Sequence, residues 1–270
     1  MLSVIISFYN KIELLELIFA ALARQTYTDF EVVIADDGSR GDVVERIESQ
    51  LTAHPFPIKH VWHEDRGWRK NVILNRAVEA ASGSLLIFID GDCLPERHFV
   101  EDHYRSAQHG VVSTGRRVML DAGCTARITA KSIRHGILDG RLLFPLLAAT
   151  ICGHRTGMEQ MLRIGGEAVR RLVVKERHRH ILGCNFSIFK DDLLKVNGFD
   201  ERFVHPGYGE DIDLGNRLNR AGIDTISRRC RMIIYHCYHR RLATDYPESL
   251  ALLEENKTND PYTHYGINYL

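Results

Sequence analysis

The sequence predicts an α/β protein built on a parallel sheet, and three observations lead there. Over the first hundred residues, short apolar runs alternate with segments of helical period. Strands alternating with helices imply a parallel sheet covered on both faces. Acidic residues also stand at the carboxyl ends of the predicted strands, where such sheets gather ligands.

The elements follow in order. SVIISF is a short buried strand, and Ile12, Leu15, Ile18, Phe19 and Leu22 mark one face of a helix. FEVVIADDGS is a strand ending in a turn, and Val43 to Leu51 a second helix. IKHVWHE, WRKNVILNRAVEAAS and SLLIFID continue as strand, helix and strand. Asp36, Asp37, Asp90 and Asp92 then converge on one rim. From about 116 to 180 the alternation is lost and the chain turns basic with helical period. ILGCNFSIFK resumes a strand pattern before a short helix over Asp191 to Val196, and a further helix runs from Asp211 to a stop at Gly222. DTISRRCRMIIYHCYH holds one or two strands, and a short helix follows Pro247. The reading is one domain, 1–270, in four parts: 1–115, a basic helical insertion at 116–180, 181–245, and a tail at 246–270.

Bulk properties exclude more than they assign. Apolar residues make up 44% and charged residues 26% of the 270, and the formal net charge is zero, so nothing points to nucleic acid. The charge is uneven: residues 116–180 hold 13 Lys/Arg against 5 Asp/Glu. Six cysteines (93, 124, 152, 184, 230, 237) show no CxxC pair, which suits a reduced compartment. The opening MLSVIISFYN has no basic n-region or cleavage site, and Leu142 to Cys152 is too short to span a bilayer. A cytoplasmic location is expected.

LLIFIDGDCLP carries the first chemistry. Asp90 and Asp92 repel each other across one glycine at the end of a buried strand. A tight turn is the plain explanation. A bound Mn²⁺ or Mg²⁺, its shell completed by phosphate oxygens, is the functional one, favoured by the acids converging on the same rim.

SVIISFYN, DFEVVIADDGS, RGWRKNVILNRAV and IFIDGD resemble, in order and spacing, the nucleotide-sugar domain of family 2 glycosyltransferases with the GT-A fold. GFDERFVHPGYGEDIDLGNRL resembles the acceptor-side motif of galactosyl- and N-acetylgalactosaminyltransferases and of bacterial chondroitin-type polymerases. About two-thirds of the chain is covered; the basic segment matches nothing. The resemblance implies a Rossmann-like nucleotide-sugar half at 1–115 and an acceptor half at 181–245. It implies that Ser7 and Asp37 hold the nucleoside of a UDP-sugar, with Asp36 bracing the loop or touching ribose. Arg69 matches an arginine near the donor, though a solvated helix face explains it equally well. Asp92 is implied as a metal ligand, and Asp90 as a ribose contact or a water-mediated metal contact.

In YGEDIDL, helix capping accounts for Asp213. Asp211 matches the family's catalytic base, Glu210 is expected to orient acceptor hydroxyls, and glycines 207 and 209 would admit an acceptor. A single base suffices for inverting attack, because a nucleoside diphosphate leaves without protonation. His236 and His239 point to opposite faces if the strand continues, so one ion should take only one of them, and His236 fits the family position. Tyr208, between two glycines, is a candidate sugar contact, and Trp68 stays open. The implied activity is transfer of Gal, GalNAc or GlcNAc to a glycan or lipid-linked acceptor in surface polysaccharide synthesis, with the basic segment either packed on the sheet or resting on an anionic membrane. A sugar nucleotidyltransferase would want a glycine-rich basic loop near the start, which SFYNKIELL is not. A binding protein with a decayed site would not keep Asp37, Asp90, Asp92 and Asp211 together.

Overall fold

A computed structural model describes the chain apart from residues 143–149, 151–156, 165–168, 171, 173, 175–176, 179, 208, 241–245, 259 and 269–270. The first hundred residues form the expected alternation: β1 (Leu2–Phe8), α1 (Ile12–Leu22), β2 (Phe30–Asp36), α2 (Gly41–Glu48), β3 (Ile58–Trp62), α3 (Lys70–Ala80) and β4 (Leu85–Asp90). β1 lies between β2 and β4, parallel to both, and β3 extends the sheet beyond β2. Side chains alternate along a strand, so a run that is apolar at every position feeds a core on each face. Val4, Ile6, Ile87 and Ile89 enter one core with Leu15, Ile18 and Phe19 of α1. Ile5, Leu86 and Phe88 enter the other with Ile73, Ala77 and Val78 of α3.

The rest of the chain adds β5 (Cys93–Pro95), α4 (Phe99–Ser106), β6 (Val111–Thr114), β7 (Arg116–Met119), α5 (Ala122–Ala126), α6 (Ala130–Arg134), β8 (Arg177–His178), β9 (Asn185–Phe189), α7 (Lys190–Leu194), α8 (Glu210–Arg220), β10 (Asp224–Ser227), β11 (Ile233–His236) and α9 (Pro247–Glu255). The main sheet runs β3-β2-β1-β4-β9-β6-β10-β8, and a small sheet runs β5-β11-β7. The four strands of the first hundred residues are parallel, as expected, and β9 makes the full sheet mixed. β9 is antiparallel to both β4 and β6, because it starts beside the carboxyl end of β4, with Asn185 opposite Ile89, and runs back along it. Phe88 pairs with Phe186, and their rings stack 4.6 Å apart. This reversal puts Gly183 and Cys184, just before β9, at the ligand rim.

In the small sheet, His236 of β11 pairs with Cys93 of β5 and with Met119 of β7. Asn185 ties the sheets together, its buried amide donating to Met232 O (2.8 Å) and Arg116 O (3.1 Å). The basic segment departs from the helical expectation. It opens with β7, and its described helices are short, the five-residue α5 and α6 among them. Most of its apolar stretch, LDGRLLFPLLAATICGH, lies outside the described residues. Among the described residues, no helix is long and apolar enough to cross a membrane.

Candidate functional site

The carboxyl ends of β1 and β4 meet the start of α3 at one carboxylate. Asp90 Oδ1 accepts from Ser7 Oγ (2.9 Å) and from Lys70 Nζ (2.9 Å). Burial pushes Asp90 up, but the Lys70 charge and these hydrogen bonds override it and hold it below the usual carboxylate range. Lys70 escaped the sequence reading, where it was one basic residue beside Arg66 and Arg69. A signal was present: an ammonium in the first turn of a helix opposes the dipole and needs a local anion. Burial alone would lower that ammonium, yet Asp90, Glu210 and Asp211 together raise it.

Across the pocket, α8 starts at Glu210, so both acids sit at a helix N-terminus. Asp211 Oδ2 accepts the Gly183 N–H (2.8 Å). A Cβ at Gly183 would overlap the Asp211 carboxylate, so only glycine lets the acid rest on the backbone here. Among the described residues, Glu210 Oε2 is buried without a hydrogen-bond partner. Burial and the charge of Asp211 push Glu210 up to about 7, against the opposing pull of Lys70. Burial raises Asp211 too, and Asp90 adds to it. Ser7, Lys70, Asp90, Gly183, Glu210 and Asp211 therefore line one narrow pocket. The glycines flanking residue 208 have a backbone reason of their own: φ is +112° at Gly207 and +135° at Gly209, and a Cβ at Gly209 would press on the Phe203 ring. Tyr208 itself lies outside the described residues.

At the end of β2 the two aspartates part company. Asp36 is fully buried, with Oδ1 accepting Ser39 N–H (2.9 Å) and Oδ2 bonded to His60 Nε2 (2.9 Å). Both of its oxygens are engaged inside the loop, the geometry of the bracing alternative expected for it. Asp37 keeps an edge toward the rim, with Oδ1 2.8 Å from His63 Nε2 and Oδ2 accepting Arg69 N–H at 2.9 Å. Burial raises it, and these two bonds only partly offset that. Arg69 thus serves the site through its backbone; its guanidinium donates to the Trp68 carbonyl at 3.2 Å. His63 was not singled out in the sequence.

The cation candidates gather beside this pocket. Among the described residues, Asp92, Cys93 and His236 bring ligand atoms within 4.8 Å of one another. Asp90, expected as a ribose contact or a water-mediated metal contact, is not in this group; its carboxylate faces Ser7 and Lys70. The opposite-faces argument for the two histidines is overturned as well. β11 ends at His236, so strand alternation does not extend to 239, and both imidazoles approach Asp92. His236 Nε2 lies 3.5 Å from Oδ1 and His239 Nε2 3.2 Å from Oδ2. One carboxylate, one or two imidazoles and a thiol form a donor set that fits a divalent cation.

The glycosyl transferase family 2 model matches residues 3–179, and the model described as the N-terminal domain of galactosyltransferase matches residues 165–240. Validoxylamine A glucosyltransferase of Streptomyces hygroscopicus subsp. jinggangensis is 33% identical over 240 residues, covering 84% of this chain and 54% of that protein. Chondroitin synthase of Escherichia coli is 27% identical over 243 residues, 82% of this chain and 32% of that one. The chain thus spans about half the length, or less, of these curated relatives. Two solved structures share the fold. GalNAc-T7 with UDP, GalNAc and Mn²⁺ superposes with a TM-score of 0.64 at 14% identity, over 94% of this chain and 47% of its own. The mannosyltransferase PcManGT of Pyrobaculum calidifontis with GDP-Man and Mn²⁺ gives 0.59 at 17% identity, over 89% and 57%. The architecture is the GT-A fold, and the chain belongs to glycosyl transferase family 2.

Proposed function

We propose that the protein is a metal-dependent, inverting glycosyltransferase that moves a sugar from a UDP-sugar to a hydroxyl of a glycan or lipid-linked acceptor. One observation carries the reading: Lys70 and Asp90, at the strand ends, share a pocket with the Glu210–Asp211 pair, beside the Asp92–His236 cation candidates. Asp37, at the neighbouring strand end, offers a carboxylate to a nucleobase N–H, held in place by His63 and the Arg69 N–H. Ser7 and Asp90 line the pocket at the strand ends next to Asp37, where ribose and diphosphate would lie. Asp92 and His236, with His239 near, would hold Mn²⁺ or Mg²⁺; bound there, the cation would neutralise the leaving diphosphate. Lys70 adds a fixed positive charge on the opposite side.

Asp211 takes the proton of the acceptor hydroxyl as that oxygen attacks the anomeric carbon from the face opposite the diphosphate. The Gly183 N–H pins one of its oxygens, which leaves the other to act as base. Glu210, high in pKa and with Oε2 unpartnered, is placed to bond acceptor hydroxyls. The relatives act on sugars by name, and the galactosyltransferase-type match over 165–240 supports Gal, GalNAc or GlcNAc as the transferred group. Surface polysaccharide synthesis at the cytoplasmic face of a membrane is the setting this reading implies. The test is incubation with Mn²⁺ and a panel of UDP-, GDP- and dTDP-sugars, following nucleotide release. Slow hydrolysis of one UDP-sugar supports the proposal, and selective hydrolysis of a GDP- or dTDP-sugar contradicts the donor assignment.

A further inference from the structure

The cation candidates include a residue that the proposed reaction leaves idle. Cys93 is fully buried in β5, directly across the antiparallel pairing from His236. Residues facing each other across such a pair project from the same face, so the register aims the thiol and the imidazole at the same space. Cys93 Sγ lies 3.5 Å from Asp92 Oδ1, and His236 Nε2 is also 3.5 Å from that oxygen. These separations have a chemical meaning. Zinc holds sulfur at about 2.3 Å and nitrogen or oxygen at about 2.0–2.2 Å, so the edge of its ligand tetrahedron is roughly 3.5 Å. The sulfur and the nitrogen thus each stand at tetrahedral-edge spacing from the shared oxygen, all three within 4.8 Å of one another, and His239, water or a phosphate oxygen would complete the shell.

We propose that Cys93 Sγ is a direct ligand of the cation beside Asp92 and His236, so that the centre takes thiophilic cations such as Zn²⁺ and Co²⁺ through a sulfur–metal bond. On ligation the thiol proton passes to solvent and the sulfur electron pair forms the bond. Thiolate and imidazole donors favour these ions over Mn²⁺ and Mg²⁺, which seek oxygen. The inference rests on the reading of Asp92 and His236 as the cation site and adds the sulfur to it.

Titration of the protein with Co²⁺ separates the two. The expected result is a thiolate-to-cobalt absorption in the near ultraviolet that saturates at one equivalent. It should disappear in Cys93→Ser and Cys93→Ala and persist in Cys230→Ser. In Cys93→Ser, Zn²⁺ affinity should fall about tenfold or more, the scale of a lost ligand or its support, and by a larger factor than Mn²⁺ affinity does. Visible cobalt bands that depend on Asp92 but come without the sulfur absorption overturn the inference and leave the cation site standing. Cobalt uptake that is absent, or indifferent to Asp92→Asn, overturns both. Should the cysteine variants fail to fold, cobalt-edge X-ray absorption on the unaltered protein reads sulfur in the shell directly, and a shell of nitrogen and oxygen alone overturns the proposal.

Discussion

One turn of one helix treats buried acid in two opposite ways. Asp213, in the first turn of α8, pairs with Arg217 at 2.8 Å, and both are almost wholly buried. Asn256 donates to its other oxygen at 2.7 Å, and Arg217 also donates to the carbonyls of Val196 (2.8 Å) and Gly198 (2.9 Å). Next to this cluster, Arg202 and Asn256 hold Asp200 below the carboxylate range despite its burial. Glu210 and Asp211, three and two residues earlier, share the same helix start, yet burial raises both. The difference is compensation. Arginine and asparagine answer the acids that hold α8 in place, whereas the two acids facing the pocket share one lysine across it. Uncompensated burial is what tunes a carboxylate toward proton transfer at neutral pH.

Breaking the compensated side should have the largest effect. Arg217→Met strands Asp213 in the interior and should cost about 3–5 kcal/mol of stability, read as a lowered midpoint in urea unfolding. On the other side, Asp211→Asn should lower transfer by about 10²-fold or more, the scale of a lost general base, with no loss of stability. If Asp211→Asn unfolds the protein as readily as Arg217→Met, the two sets of acids are alike and the contrast fails.

The contrast sharpens with pH. Glu210 keeps its proton up to about 7 in the folded protein against 4.5 for the free side chain, so the folded state binds more protons between these values. Stability therefore declines as pH rises through that window, and the whole penalty is present above it. Glu210→Gln should remove the penalty and stabilise the protein above pH 7 by on the order of 1–3 kcal/mol. A melting curve whose difference from the unaltered protein is flat between pH 4.5 and 8 would show that Glu210 is not strained.

How much of this was legible follows from physical range. β1, β2 and β4 could be read because each holds a run of three to five consecutive apolar residues, a local signal. β5, β6 and β7 are three or four residues long, and RRVM has no apolar run, so they were not seen. The reversed direction of β9 depends on where a long segment returns the chain, which no local pattern encodes. Asp211, Asp37 and Asp92 stand in short local motifs, YGEDIDL, ADDGS and IFIDGD, that the sequence displays directly. Lys70, Cys93, His63 and Gly183 matter through contacts made across the fold, and His239 through the end of a strand that sequence alternation carried too far.

The smallest expected effect concerns the basic segment. Arg163 pairs with buried Asp102 at 2.7 Å, which favours packing, while Leu162, Val169 and Leu172 stand exposed beside it. Binding to anionic vesicles at low salt, lost at high salt and absent with neutral vesicles, is the outcome if these residues rest on a membrane. Each basic residue would add about 1 kcal/mol. No sedimentation with any vesicle assigns the segment to packing.

The central claim is that one cluster binds the donor through a cation and a separate acid does the chemistry. It is tested most directly by measuring UDP affinity and UDP-sugar turnover together, with Mn²⁺, for the unaltered protein, Asp92→Asn and Asp211→Asn. Asp92→Asn should lose Mn²⁺-dependent UDP binding, and Asp211→Asn should bind UDP as the unaltered protein does while turning over at least about 10²-fold more slowly. Unchanged UDP affinity in Asp92→Asn, or unchanged turnover in Asp211→Asn, would contradict the account.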